Sequence, residues 1–561
     1  MRPKPWLAAY PPGVPSEVDA RAFASLNDLF ARSFERYRER PAFVSLGASL
    51  TYGEIERLSG AFGAFLAEEL GLARGERLAI MLPNLLQYPV ALIGALRAGL
   101  AVVNVNPLYT ARELEQQLAD SGAAAIVVLE NFAHVLQAAL PGTRIRHVVT
   151  TQAGDLLPAP KRALVNFVVK RVRRMVPPWR IAGAIALREA LRKGGDRPLE
   201  DPRLGPDDVA FLQYTGGTTG RPKGAVLTHG NVAANVEQTA AWIGGTLKEG
   251  AETVITALPL YHVFALTSNL LVFFRLGGRN VLITNPRDMP GFVKEMKNVR
   301  FTAITGVNTL YQALLDAQGF DAVRAANRGA LKLAIAGGMP VQRAVAERWQ
   351  RATGTPLIEG YGLTEASPNV CANRLDARQF SGKLGLPLPS TEVAILDDNG
   401  AALPAGEIGE ICVRGPQVMR GYWNAPQDTA QAFFPQGWLR TGDLGRMDAA
   451  GWLEFVERAK DMIVVSGFKA YPSEIEDVAM LHPGVKDAGA AAIPDARSGE
   501  AVALYVVKRD PALTAEALRE HCARHLAPYK RPKRIEFRDA LPKSPLGKVL
   551  HRELRPREPA G

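Results

Sequence analysis

The chain has 561 residues, 47% of them hydrophobic and 22% charged. That is enough apolar material for more than one cored domain, and it excludes a disordered chain. Lys and Arg number 67 against 56 Asp and Glu, a formal charge of +11 that points to an anionic partner: nucleic acid, a membrane surface or a phosphorylated small molecule.

No apolar stretch follows the Pro-rich start, Met1-Arg2-Pro3-Lys4-Pro5-Trp6, so no secretory leader is expected. Residues 25–38 place Leu26, Leu29, Phe30, Phe34 and Tyr37 at helical spacing. Thr51 with Glu54, and Thr110 with Glu113, have capping-box spacing and open two further helices; Gly71 ends the first of them. Residues 77–82, 101–105 and 123–129 read as strands, and 84–97 as a helix. Strands and helices alternating over short links predict a largely parallel sheet covered on both faces.

Residues 156–188 differ. They carry eight Lys/Arg, no Asp or Glu, and many interleaved apolar side chains. Two readings stand: a segment lying on an anionic membrane, or a surface helix with a solvated basic face. The longest apolar stretches, such as 263–274, fall short of the roughly 18–20 residues of a membrane span. From 212 to about 358 the α/β pattern returns. Residues 383–455 then change to short strands with frequent Gly and Pro, which predicts a smaller β subdomain. The last hundred residues read as a separate α/β unit with a basic tail. Cys371, Cys412 and Cys522 are dispersed, which excludes a disulfide framework and fits a reducing cytoplasmic compartment.

The strongest local signal is Tyr214-Thr215-Gly216-Gly217-Thr218-Thr219-Gly220-Arg221-Pro222-Lys223-Gly224, directly after a strand pattern. Glycines allow close backbone approach, successive N–H groups form an anion nest, and threonine hydroxyls and a lysine add donors and charge. It is not a Walker A loop, because no Gly-Lys-Ser/Thr follows at the required spacing.

This motif resembles the phosphate loop of the adenylate-forming superfamily, which includes acyl-CoA synthetases, nonribosomal adenylation domains and beetle luciferases. Five more segments repeat the resemblance in order. Gly337-Gly338-Met339-Pro340 resembles the adenine-side glycine motif. Glu359-Gly360-Tyr361-Gly362-Leu363-Thr364-Glu365 resembles YGxTE. Gly437-Trp438-Leu439-Arg440-Thr441-Gly442-Asp443 resembles the ribose-binding GWxxTGD. Glu457-Arg458-Ala459-Lys460-Asp461 resembles the hinge motif, and Ser544-Pro545-Leu546-Gly547-Lys548 the catalytic-lysine motif. The chain as a whole is similar to the bacterial long-chain fatty acyl-CoA synthetases.

The resemblance implies an α/β adenylate-forming fold. A large domain of βαβ-type sheets plus a β subdomain would cover 1–457, with a hinge at 458–461 (Lys460 and Asp461) and a small mobile α/β (α+β) domain over 462–561. It implies ATP and CoA as co-substrates, Mg²⁺ as cofactor and a long-chain fatty acid as the acid. Thr215, Gly216, Gly217, Thr218, Thr219, Gly220 and Lys223 would hold phosphates. Gly337, Gly338, Met339, Glu359, Gly360, Tyr361 and Gly362 would surround the adenine. Asp443 and Arg458 would hold the ribose. Thr364 and Lys548 would act at the α-phosphate, Glu365 with Thr215 would hold the metal, and Ser466, Gly467, Phe468 and Lys469 would meet CoA. His262 reads either as a core residue or, with Val263, Phe264 and Leu266, as the edge of an acyl pocket.

Residues 253–287 contain no Asp or Glu. An enzyme that activates amino acids needs a buried carboxylate there for the substrate ammonium, so this absence argues for an apolar acid. An alternative is a ligase that passes the acyl group to a carrier protein or takes another carboxylic acid. A third reading, a non-enzymatic membrane or nucleic-acid binder, lacks any helix-turn-helix, zinc-finger or RNP signature, so no nucleic-acid partner is expected. Peripheral contact with the inner face of the cytoplasmic membrane is compatible with the enzyme, and a homodimer is among the assemblies left open.

Overall fold

The computed structural model describes every residue except 1–3, 196, 216–221, 467, 496, 544–548 and 556–561. The chain forms two compact units, Met1–Glu392 with Arg414–Phe433, and Val393–Val413 with Phe434–Gly561.

The first unit is built on two sheets. One has seven strands in the order Ile185–Ala186, His147–Thr151, Ala125–Leu129, Arg77–Met81, Ala101–Asn104, Val209–Thr215 and Lys223–Thr228. All neighbours are parallel except the last pair, which is a hairpin. The other has nine strands: Leu386–Pro387, Asn369–Ala372, Leu357–Gly362, Leu333–Ala336, Ala303–Gly306, Thr253–Thr256, Arg279–Leu282, Pro41–Ser45 and Ala48–Thr51. Its centre is parallel and its two ends are antiparallel.

The sequence patterns turn into helices for the reasons expected. Leu26–Tyr37 buries all five spaced apolar residues. Thr51 and Thr110 each accept from the amide three residues on, with Glu54 and Glu113 returning the bond. The helix expected from residue 84 begins instead at Gln87. Asn84 is otherwise engaged: its amide donates to the Thr256 and Leu258 carbonyls at 3.0 and 2.9 Å, and its oxygen accepts from Leu260 N. A side chain satisfied by tertiary bonds fixes the local backbone better than helix propensity does. The apolar run beginning at Val263 is wound as a wide π turn, Ala265–Leu271, before the short α-helix Val272–Arg275. Wide turns of this kind cluster at functional sites.

The basic segment folds as a helix, Ala159–Phe167, that widens into Val168–Val172, and neither piece buries a single residue.

The second unit also has two sheets. Glu392–Leu396, Gly409–Arg414, Trp438–Met447, Phe433–Phe434 and Leu453–Arg458 form the first. Phe468–Ala470, Ile463–Val465, Gly499–Lys508, Val485–Asp495 and Arg534–Phe537 form the second. Helices Pro472–Met480 and Ala515–His525 cover the second sheet through Ile475, Ala479, Leu518 and Cys522. All three cysteines, Cys371, Cys412 and Cys522, are buried.

Candidate active site

Ligand sites of parallel α/β sheets lie at the carboxyl ends of the strands. In the seven-stranded sheet that edge ends at Thr215, which pairs directly with Lys223 across the hairpin. The phosphate-loop glycines and threonines, Gly216, Gly217, Thr218, Thr219 and Gly220, fall between these two and lie outside the described residues. The Lys223 ammonium pairs with the Asp428 carboxylate and lies 5.5 Å from the centre of the Tyr422 ring.

In the nine-stranded sheet, Gly337, Gly338 and Met339 follow the strand Leu333–Ala336. A Cβ on Gly337 would sit 3.1 Å from the Gly360 carbonyl and 3.2 Å from the Phe264 ring, so this corner is already close-packed. The next strand, Leu357–Gly362, carries Glu359, Gly360, Tyr361 and Gly362. Gly362 is required, because a Cβ there would fall 2.0 Å from the Pro368 carbonyl oxygen. The strand runs into the short turn Thr364–Ala366, which presents Thr364 and Glu365.

Glu365 is held on two sides. Its backbone carbonyl accepts from Met419 N at 2.7 Å, and its Oε1 accepts from the Tyr422 hydroxyl at 2.8 Å. Burial first, and the Glu365 charge second, push the Tyr422 hydroxyl far above the phenol range, so it remains a donor. Tyr422 therefore turns its hydroxyl to one candidate ligand of the nucleotide site and its ring face to another. Glu359 is buried, and desolvation raises its carboxyl to about 8. Its Oε2 is buried without a hydrogen bond from the described residues, leaving a carboxyl oxygen next to the glycine-lined corner.

His262 keeps an exposed edge, yet the surrounding apolar residues desolvate its ring and bring its pKa to about 4. Its Nδ1 accepts from Phe264 N at 3.3 Å, which assigns the ring proton to Nε2. The neutral imidazole is thus a donor and not a cation. Val263 and Leu266 are fully buried in the core. Phe264 lines an apolar cavity of about 40 Å³ that runs along Leu333, Ile335 and Ile358.

The second unit holds its own set. Asp443 and Arg458 face each other as paired residues of adjacent strands, and Arg458 Nε lies 3.1 Å from Asp443 Oδ1. A tight turn follows, with Asp461 N donating to the Arg458 carbonyl. His551 Nδ1 contacts Asp461 Oδ2 at 3.3 Å, and its Nε2 contacts Glu476 Oε1 at 2.7 Å. Ser466 adopts a left-handed backbone (φ 50°), and Lys469 is exposed. Phe468 is exposed and stacks on Tyr529 with centroids 5.1 Å apart. Gly467 and Lys548 lie outside the described residues. An antiparallel bridge pairs Lys543 with Val549, on either side of residues 544–548.

Sequence reasoning missed Tyr422, Asp428 and His551. Each reaches its partner across 57 to 205 residues, so no local spacing marks it.

Two parallel-centred sheets, a Gly/Thr-rich segment spanned by the Thr215–Lys223 hairpin and a hydrogen-bonded Glu365 after the strand Leu357–Gly362 belong to the adenylate-forming enzyme fold. A family model for AMP-binding enzymes matches residues 30–423, and one for the AMP-binding enzyme C-terminal domain matches 474–548. The chain is 54% identical over 552 residues to a long-chain-fatty-acid–CoA ligase of Escherichia coli O6:H1, covering 98% of both chains. It is 53% identical over 555 residues to the ligase of the same name from Yersinia pestis, covering 99% of this chain and 98% of that one. Among solved structures it is similar to ATP-bound MatB from Rhodopseudomonas palustris, with 27% identity, a TM-score of 0.80, and coverage of 94% and 98%. The chain belongs to the long-chain-fatty-acid–CoA ligase family of AMP-binding enzymes.

Proposed function

We propose that the protein joins long-chain fatty acids to coenzyme A in two steps. A carboxylate oxygen of the acid attacks the α-phosphorus of ATP, the bond to the β-phosphate breaks, and pyrophosphate leaves. The CoA sulfur then attacks the acyl carbon of the acyl-adenylate, and AMP departs with the carboxyl-derived oxygen.

The chain's residues have distinct parts in this. Thr215 and Lys223 bind the phosphates from the two ends of the hairpin. Lys223 exchanges Asp428 for the incoming anion. Thr364 donates at the α-phosphate, where charge builds, and a fixed donor there lowers the barrier. The Nε2–H of His262 orients the acyl carboxylate at the cavity mouth without adding charge. The Asp443 carboxylate, with Arg458, accepts from ribose hydroxyls. Mg²⁺ fits the donor set: it commonly takes one or two carboxylates and completes its shell with phosphate oxygens and water. Glu365 is such a single, hydrogen-bonded carboxylate, and Thr215 offers a hydroxyl. When bound, the ion neutralises phosphate charge. Lys548 would bridge the carboxylate and α-phosphate in the first step. Ser466, Gly467, Phe468 and Lys469 would meet CoA in the second, with a hinge at 458–461 between the two arrangements.

The observation that carries this reading is the apolar cavity that begins at Phe264, two residues from the neutral His262. The test is incubation with ATP, Mg²⁺, oleate and CoA. Equal amounts of AMP and oleoyl-CoA are expected. No AMP overturns the reading, and AMP that appears only with a holo-carrier protein transfers the acceptor role to that carrier.

We also place the protein in the cytoplasm, in peripheral contact with the membrane through residues 159–175. Leu164, Phe167, Val172 and Met175 are 62, 59, 63 and 52% exposed there, among Lys161, Arg162, Lys170, Arg171, Arg173 and Arg174. Apolar side chains set among cations suit an anionic lipid surface. No described helix is long and apolar enough to cross a membrane. Reversing the charges of Arg171, Arg173 and Arg174 should abolish sedimentation with phosphatidylglycerol vesicles; unchanged sedimentation overturns the contact.

A further inference from the structure

The cavity behind Phe264 is too small for the substrate class proposed above. Its volume is about 40 Å³. By the same measure one water needs about 10–15 Å³, so there is room for roughly three methylene-sized groups. A long acyl chain carries several times that number. Some part of the lining must therefore move when the chain enters.

Most of the lining is not free to do so. Thr305, Leu333, Ile335 and Ile358 project from central strands of the nine-stranded sheet, whose backbones are hydrogen-bonded on both sides. Trp242 is different. It lies one residue from the end of the helix His229–Ile243 and is the largest side chain lining the cavity. One hydrogen bond holds its indole, from Nε1 to the Asn373 carbonyl at 3.2 Å. Its ring meets Tyr10 edge-on, with centroids 5.3 Å apart and planes at 86°. Tyr10 comes from the N-terminal segment, which belongs to no sheet. That segment is fastened there by the Tyr10 hydroxyl donating to the Pro387 carbonyl at 2.6 Å and by Arg374 donating to the Ala9 carbonyl at 3.0 Å.

We propose that Trp242, backed by Tyr10, is the movable closing wall of the acyl cavity and sets the chain length the enzyme accepts. The inference rests on the fatty-acid reading. Only an acid of about four carbons fits with the wall closed, and every longer one, laurate included, needs the wall to move further. A long one displaces the indole toward the N-terminal segment, so each added methylene gains burial only if the wall yields.

The test compares kcat/KM for laurate, palmitate and behenate in the wild type, Trp242→Ala, Trp242→Phe and Tyr10→Phe. Trp242→Ala should raise the behenate-to-laurate ratio by about tenfold, the selectivity of two buried methylenes. Trp242→Phe and Tyr10→Phe keep an aromatic wall but loosen it, and should shift the ratio less, in the same direction. They decide the question if the alanine variant fails to fold. A wild type that ignores all three acids overturns the fatty-acid reading. A wild type that uses them, with the ratio unchanged in every folded variant, overturns the role of Trp242.

Discussion

Lys548→Ala should slow acyl-adenylate formation by about 10²–10³-fold, the usual loss when one fixed electrostatic stabiliser of a transition state is removed. In the first step negative charge accumulates between the acyl carboxylate and the α-phosphate. A lysine on a flexible stem is a compact point charge that can sit between two oxygens of different groups. The second step releases AMP from an adenylate already made, and the resemblance gives Lys548 no part in it. Thioester formation from supplied oleoyl-adenylate and CoA should therefore stay within a few-fold of the wild type. Single-turnover pyrophosphate release and thioester formation separate the two. Equal loss in both would contradict the role assigned to Lys548.

Three residues on, His551→Ala should cost about 3–5 kcal/mol of stability in the C-terminal unit, the effect of removing one partner from a buried charge cluster. Both ring nitrogens face carboxylates, Asp461 and Glu476, and the His551 side chain is only 10% exposed. Burial opposes its charge, but the two carboxylates prevail and raise its pKa from 6.5 to about 10. The folded state thus binds the proton more tightly than the unfolded chain. The stabilisation is complete below pH 6.5 and fades as pH rises through 10. Thermal unfolding of the wild type should show this decline. His551→Arg should retain the stability and flatten the slope, because a guanidinium stays charged throughout. An alanine variant as stable as the wild type at pH 6 would show that the cluster is not held by its cation.

The sequence made the two capping boxes legible because threonine and glutamate three residues apart carry the whole interaction. The Gly- and Thr-rich segment 214–224 stood out for a similar reason: its signal sits in consecutive residues. Glu392–Leu396 was readable as a short apolar strand set among frequent Gly and Pro. The helix start at Gln87 was not, since Asn84 is engaged by a neighbouring strand end that no local window contains. His262 looked like either a core residue or a pocket residue, and it has features of both: desolvated by the core, yet directly before the cavity edge. Glu359 could be placed in a motif, but its raised pKa comes from three-dimensional burial. Trp242 and Tyr10 meet across more than 200 positions and carried no signal at all.

The chain's path through the two units also bears on how the site is completed during synthesis. The first unit is left at residue 393, regained at 414 and left again after 433. Within the returning stretch, Gln417 enters a buried network with Gln238 and Thr391, and Tyr422 reaches Glu365. Glu365 leaves the ribosome 57 residues before Tyr422. At about 5–20 residues per second, that is roughly 3–11 s in which the nascent carboxylate has no tyrosine to meet. Until residue 417 is made, the buried Gln238 and Thr391 likewise lack their Gln417 partner. A chain stalled after Pro387 but before Tyr422 would contain every strand of both sheets yet lack the tyrosine that holds Glu365. The Glu365–Tyr422 contact is thus among the last parts of this unit to be assembled.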